Sequence, residues 1–144
     1  MKLYTSYWAQ ARHFSHNLIL LSTVTWMPKY SIKDSTGEPA IIIKCDPVRP
    51  GPECEGLCCG QPCDGTPDKC KFLRTYREQL EKLHIPTFMD NLQRLHDIIC
   101  KNEGFDDVDF VFMFYEKYDN LCSERWPLQD WLHVHGVEVE EWEK

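Results

Sequence analysis

Six of the chain's eight cysteines, Cys45, Cys54, Cys58, Cys59, Cys63 and Cys70, fall within one short stretch. Thiols at that density can supply the four sulfur donors of a tetrahedral metal site. Cys54 and Cys58 are separated by three residues, close enough to fold around one ion, and Cys63 and Cys70 make a second, wider pair. The preferred ligand set is Cys54, Cys58, Cys63 and Cys70, holding a structural zinc. Cys59 can replace Cys58, Cys45 can replace any of the four, and an iron–sulfur cluster would draw on the same residues. Four protein thiolates close the coordination shell, so the expected role is scaffolding rather than catalysis. The stretch needs such a staple. Besides its cysteines, its strongly apolar members are Val48 and Leu57, set among glycines and prolines, and a segment of that kind buries too little to offset its ordering entropy.

A second constellation runs Tyr115-Glu116-Lys117-Tyr118-Asp119-Asn120-Leu121-Cys122-Ser123-Glu124-Arg125. Here Cys122 is a candidate nucleophile, Arg125 a clamp for a phosphate or carboxylate, and Glu116 an acid, base or orienting group. Each has a plainer reading. A loop cysteine is commonly a small buried hydrophobe, and Glu116 with Arg125 can form a simple ion pair. Tyr4, Ser6 and Trp8, from the first strand, are the candidate ligand-binding residues at the same end of the sheet.

The elements that must position these groups follow from hydrophobic period. Lys2 to Trp8 and Asn17 to Trp26 read as strands, Met27 to Pro39 as a loop and Ala40 to Cys45 as a third short strand. Thr66, Pro67 and Asp68 mark a helix start that places Cys70 in the first turn, with Phe72, Tyr76, Leu80 and Leu83 at helical spacing behind it. A second helix spans about Pro86 to Glu103, with Gly104 placed to end it. Phe110-Val111-Phe112-Met113-Phe114-Tyr115 is a near-continuous apolar run that suits a central strand covered on both faces. Trp126 to His135 reads as a short amphipathic helix, and Val137 to Trp142 as a final strand whose glutamates, Glu138, Glu140 and Glu141, guard an edge. Strands alternating with helices predict a single α/β domain over residues 1–144, with a mostly parallel, Rossmann-like sheet and an inserted cysteine-rich metal-binding loop at 45–70. In such sheets ligands bind outside the carboxyl ends of the strands, where the second constellation lies.

Composition narrows the partners. At 144 residues and 42% hydrophobic, the chain is long enough for one conventional core. A net charge of −7, with acidic residues outnumbering basic ones in the cysteine stretch itself, is the wrong sign for a nucleic-acid module. The start of the chain lacks the pattern of a secretory signal, and no apolar run approaches the ~20 residues that cross a bilayer. The expectation is a cytoplasmic protein without a membrane segment, its thiols reduced and available to metal.

Met1-Lys2-Leu3-Tyr4-Thr5-Ser6-Tyr7, together with Phe114-Tyr115-Glu116-Lys117, Cys122 and Arg125, resembles the bacterial family called domain of unknown function four-eight-eight. That family carries a strand, a Tyr-Glu-Lys turn and then Cys-His-Arg. In this chain Ser123 and Glu124 separate Cys122 from Arg125. The resemblance covers both ends of the chain, with the cysteine loop as an addition in the middle. It implies a compact cytoplasmic α/β domain and assigns no reaction. Three functions are therefore expected in turn: a zinc-stabilised domain that binds a small anionic or nucleotide-like ligand at the C-terminal end of its sheet; a thiol-dependent enzyme with Cys122 as nucleophile; and an acidic module that binds a protein partner.

Overall fold

The computed structural model describes residues 1–24, 27–55, 57, 70–117 and 120–143. Among these residues, five strands form one sheet: β1 (Leu3–Tyr7), β2 (Leu18–Ser22), β3 (Ile42–Lys44), β4 (Asp109–Phe114) and β5 (Glu140–Glu141). Their order across the sheet is β3-β2-β4-β1-β5, and every neighbouring pair is parallel. β4 is central because its residues can be buried on both sides. Phe110, Phe112 and Phe114 enter one face and Val111 and Met113 the other, all without solvent exposure. Its register sets Ser6 beside Met113 and Tyr7 beside Phe114, which brings the carboxyl ends of the first and fourth strands together.

Three helices cover the phenylalanine face: α1 (Lys71–Glu81), α2 (Ile85–Glu103) and α3 (Arg125–Val134). Tyr76 and Leu80 of α1, Phe88 and Leu92 of α2, and Leu128 and Trp131 of α3 pack there with Ile19, Leu21 and Phe112. The opposite face carries no α-helix among the described residues. A 3-10 turn at Trp8–His13 and the loop around Ile32 cover it, through Trp8, Ala11, Phe14 and Ile32 against Leu18, Leu20 and Met113. Gly104 ends α2 in the left-handed region at φ 75°, where a side chain is costly, and its amide caps Cys100 O.

The elements differ from the sequence reading mainly at their ends. β2 and β3 are shorter than their apolar runs, because Val24 and Ile41 pack as loop residues instead of continuing the ladders. Cys70 is the N-cap of α1, in extended conformation, rather than part of its first turn; the expected start at Thr66 to Asp68 lies outside the described residues. The last strand shrinks to Glu140–Glu141, and Glu141 is not a solvated edge guard. Its side chain is 18% exposed and turns inward to Arg125 and Thr5. The front of the cysteine stretch is also better anchored than its composition suggests. Val48, Cys45 and Cys54 are buried in the main core, Tyr76 Oη donates to Val48 O at 2.5 Å, and Gln79 bridges Arg49 O and the Gly51 amide. Long-range partners on α1 supply the burial that the stretch lacks locally.

At the opposite end of the sheet, His96 of α2 clamps the turn before β4. Nε2 lies 2.5 Å from Asp107 and Nδ1 3.0 Å from Asp97. The bond to Asp107, then that to Asp97, raises the His96 pKa above 6.5. The folded chain therefore holds this proton more tightly than the unfolded chain. The resulting stability is present below about pH 6.5 and is lost as pH rises through the raised folded value. His96→Gln should flatten that decline in urea unfolding followed from pH 6 into the alkaline range. An unchanged slope in the variant would show that the clamp does not titrate.

Candidate functional site at the carboxyl end of the sheet

All five strands being parallel, their carboxyl ends share one edge, and there the chain leaves β4 through Tyr115 and Glu116 into the turn that starts α3. Arg125, the first residue of α3, is drawn beneath this turn with 0% exposure. Nη2 donates to Glu116 O at 2.6 Å and to Ser6 O at 3.3 Å, and Nε lies 3.4 Å from Glu141 Oε1. The guanidinium carbon stands 5.5 Å from the ring centre of Phe114, 5.8 Å from Trp126 and 5.9 Å from Tyr7, within cation–π range of all three. Thr5 Oγ1 donates to the same Glu141 carboxylate at 2.8 Å, and Gln129 Nε2 donates to Thr5 Oγ1 at 2.6 Å. Burial raises the Glu141 carboxyl, and Arg125 and Thr5 only partly reverse that. One planar cation thus ties β1, the turn after β4, α3 and β5 together.

Beside it lies a pair of carboxyls. Burial, then the charge of Glu116, pushes Glu124 up to about 7. Ser123 Oγ donates to Glu116 Oε2 at 3.4 Å and receives the Arg125 amide at 3.3 Å. A carboxyl held near neutrality can give or take a proton at working pH. Buried polar atoms without a hydrogen-bond partner among the described residues include Ser6 Oγ, Glu124 Oε2 and Arg125 Nη1, and groups of that kind call for a partner.

Among the described residues, four cysteines lie along the same edge: Cys45 directly after β3, Cys54 in the following turn, Cys70 at the head of α1 and Cys122 before α3. Cys70 Sγ and Cys122 Sγ are 3.9 Å apart. Burial and Asp46 push the Cys45 thiol up to about 12, which keeps it neutral, and burial with Glu53 raises Cys54. Of the four sequence-derived metal ligands, Cys58 and Cys63 lie outside the described residues, as does Cys59. Among the described residues no group of three or more His, Cys, Asp or Glu side chains is assembled to hold a metal ion.

Glu116, Cys122 and Arg125 are therefore set around one turn, with Arg125 facing inward. Ser6 joins them through its carbonyl. Tyr4 and Trp8 do not. Trp8 is buried in the opposite-face core, and Tyr4 lines a shallow cleft of about 370 Å³ with Glu140, Glu141, Trp142 and Glu143. A more apolar cleft of about 460 Å³ opens at the end of β1, lined by Tyr7, Gln10, His13, Trp126, Glu141, Trp142 and Glu143. Three of these, Tyr7, Trp126 and Glu141, are the side chains that surround Arg125. Sequence reasoning missed this cleft because its walls come from both ends of the chain; the available signal was Tyr7, the last residue of β1, since parallel sheets bind at that position. Comparison with protein-family models, with curated proteins and with solved structures finds no match to this chain. No described helix is long and apolar enough to cross a membrane.

Proposed function

We propose that this chain is a metal-stabilised α/β domain with a Rossmann-like winding that binds a small anionic, nucleotide-like ligand at the carboxyl end of its sheet. The observation that carries this reading is the cleft at the end of β1, whose lining includes the aromatic residues Tyr7, Trp126 and Trp142. Aromatic walls suit the stacking of a planar base. Gln10 and the two glutamates can take the polar edge of such a base, and the lining His13 accepts at Nε2 from Arg12 Nε at 3.3 Å, which sets the Arg12 guanidinium next to a wall of the cleft. The cleft also adjoins the turn after β4, because the sheet sets the carboxyl ends of β1 and β4 side by side. The cysteine stretch is read as the staple that holds the neighbouring part of this edge.

A second reading, a thiol-dependent enzyme with Cys122 as nucleophile, is favoured by one observation: Glu124, pushed up to about 7, lies two residues from that thiol.

Titration with adenosine monophosphate, followed by tryptophan fluorescence and calorimetry, tests the ligand reading. Binding is expected in the wild type. Trp142→Leu should weaken it about tenfold or more, within the ~1–3 kcal/mol that a stacked base is worth, and His13→Ala should weaken it further. No heat and no fluorescence change at millimolar ligand would overturn the reading.

A further inference from the structure

The cleft at the end of β1 presents open hydrogen-bond acceptors. Glu141 is held there by one oxygen: Oε1 accepts from Thr5 Oγ1 at 2.8 Å and lies 3.4 Å from Arg125 Nε. Two anchors on Oε1 leave the carboxyl little freedom to turn, so its other oxygen is presented in one place without further ordering cost. Oε2 has no hydrogen-bond partner among the described residues and is not buried, which leaves it reachable from the edge where Glu141, Trp142 and Glu143 line two adjoining clefts. Gln10 adds a second acceptor, since its Nε2 donates to Tyr7 Oη at 2.6 Å and its Oε1 is unpartnered among the described residues. Of the donors in the lining, the Trp126 indole N–H is already given to Asn120 O at 3.0 Å. Glu143 is exposed, so water competes for it, whereas the Glu141 side chain is shielded.

We infer that Glu141 sets the base preference of this cleft: it takes nucleotides whose base carries an exocyclic amine, of the adenine type, with that N–H donating to Glu141 Oε2, and disfavours bases with a carbonyl oxygen at the same place. This deepens the proposed function and rests on its reading of the cleft as a nucleotide site. The preference follows from what a carboxylate can do. It accepts hydrogen bonds and donates none. An amine gives it a charge-assisted bond. A ring without the amine leaves the shielded oxygen unpaired, and a carbonyl oxygen brings a second acceptor against it, so that both lose their water without gaining a partner. The shielding of Glu141 makes the difference larger than a fully solvated carboxylate would.

The test is calorimetric titration of the wild type with three nucleotides that differ at one position: adenosine monophosphate, purine riboside 5′-monophosphate, which lacks only the amine, and inosine monophosphate, which has a carbonyl in its place. The wild type should bind adenosine monophosphate about tenfold or more tighter than purine riboside 5′-monophosphate, the worth of a hydrogen bond to a charged group, and inosine monophosphate no better than the latter. In Glu141→Met the ratio of the first two affinities should fall close to one. The ratio is the readout there, because loss of the Arg125 partner weakens all three ligands alike, and the wild-type comparison stands without the variant. Equal affinity of the wild type for the three nucleotides, or an unchanged ratio in Glu141→Met, would overturn the inference and leave the nucleotide reading standing. A wild type that binds none of them at millimolar concentration would overturn both.

Discussion

Arg125→Met is expected to cost about 3–5 kcal/mol of folding stability, the range seen when one partner of a buried ion pair is removed. The side chain is wholly buried, and its guanidinium meets four elements at once. Methionine can fill much of the space among Phe114, Tyr7 and Trp126, so lost packing is the smaller part. The larger part is what stays behind. Glu141, only 18% exposed, would lose its cation, and Ser6 O and Glu116 O would lose a charged donor at the sheet edge. Arg125→Lys keeps the charge but not the planar fork that reaches two carbonyls and a carboxylate together, so it should fall between the two. Urea unfolding of the three proteins measures this. A loss below about 1 kcal/mol for Arg125→Met would mean the guanidinium is held there without stabilising the fold.

Removal of the proposed metal is expected to have the second large effect. Ligands that bind the folded chain and not the unfolded one stabilise it by linkage, and structural zinc binds tightly enough for this to reach several kcal/mol. The sheet and its helix-face core would not depend on such an ion, since Phe112, Trp131 and Leu80 pack on one another. Chelation should therefore leave the far-ultraviolet circular dichroism largely unchanged while lowering Tm on the order of 10 °C, given roughly 2–4 °C per kcal/mol for a chain near this size. A chelated protein with unchanged Tm would show that the staple contributes no stability.

The central strand, Asp109–Phe114, was legible because burial on both faces leaves a continuous apolar run from Phe110 to Phe114 that no amphipathic helix would show. The end of α2 was legible because Gly104 supplies a backbone conformation other residues avoid. Local chemistry carries that information, and the same holds for the inward stripe Leu128, Trp131 and Leu132 of α3. The site itself was only half readable. Glu116 and Arg125 stand out in the turn after β4, but whether Arg125 faces solvent or the core depends on β1 and β5, which come from the two ends of the chain. Glu141 reads as an edge charge because nothing near it in sequence announces Thr5 and Arg125 as its partners. The same reason hides the Cys70 and Cys122 pair: their approach is created by β4 entering the sheet between β2 and β1, an event of topology and not of spacing.

Elemental analysis of freshly purified wild type, paired with a count of alkylatable thiols under denaturing conditions, tests most directly the claim that sulfur holds this edge through a metal. One zinc per chain with all eight cysteines reactive after chelation is the expected result. Protein that carries no metal, with its thiols already joined in disulfides, would contradict it.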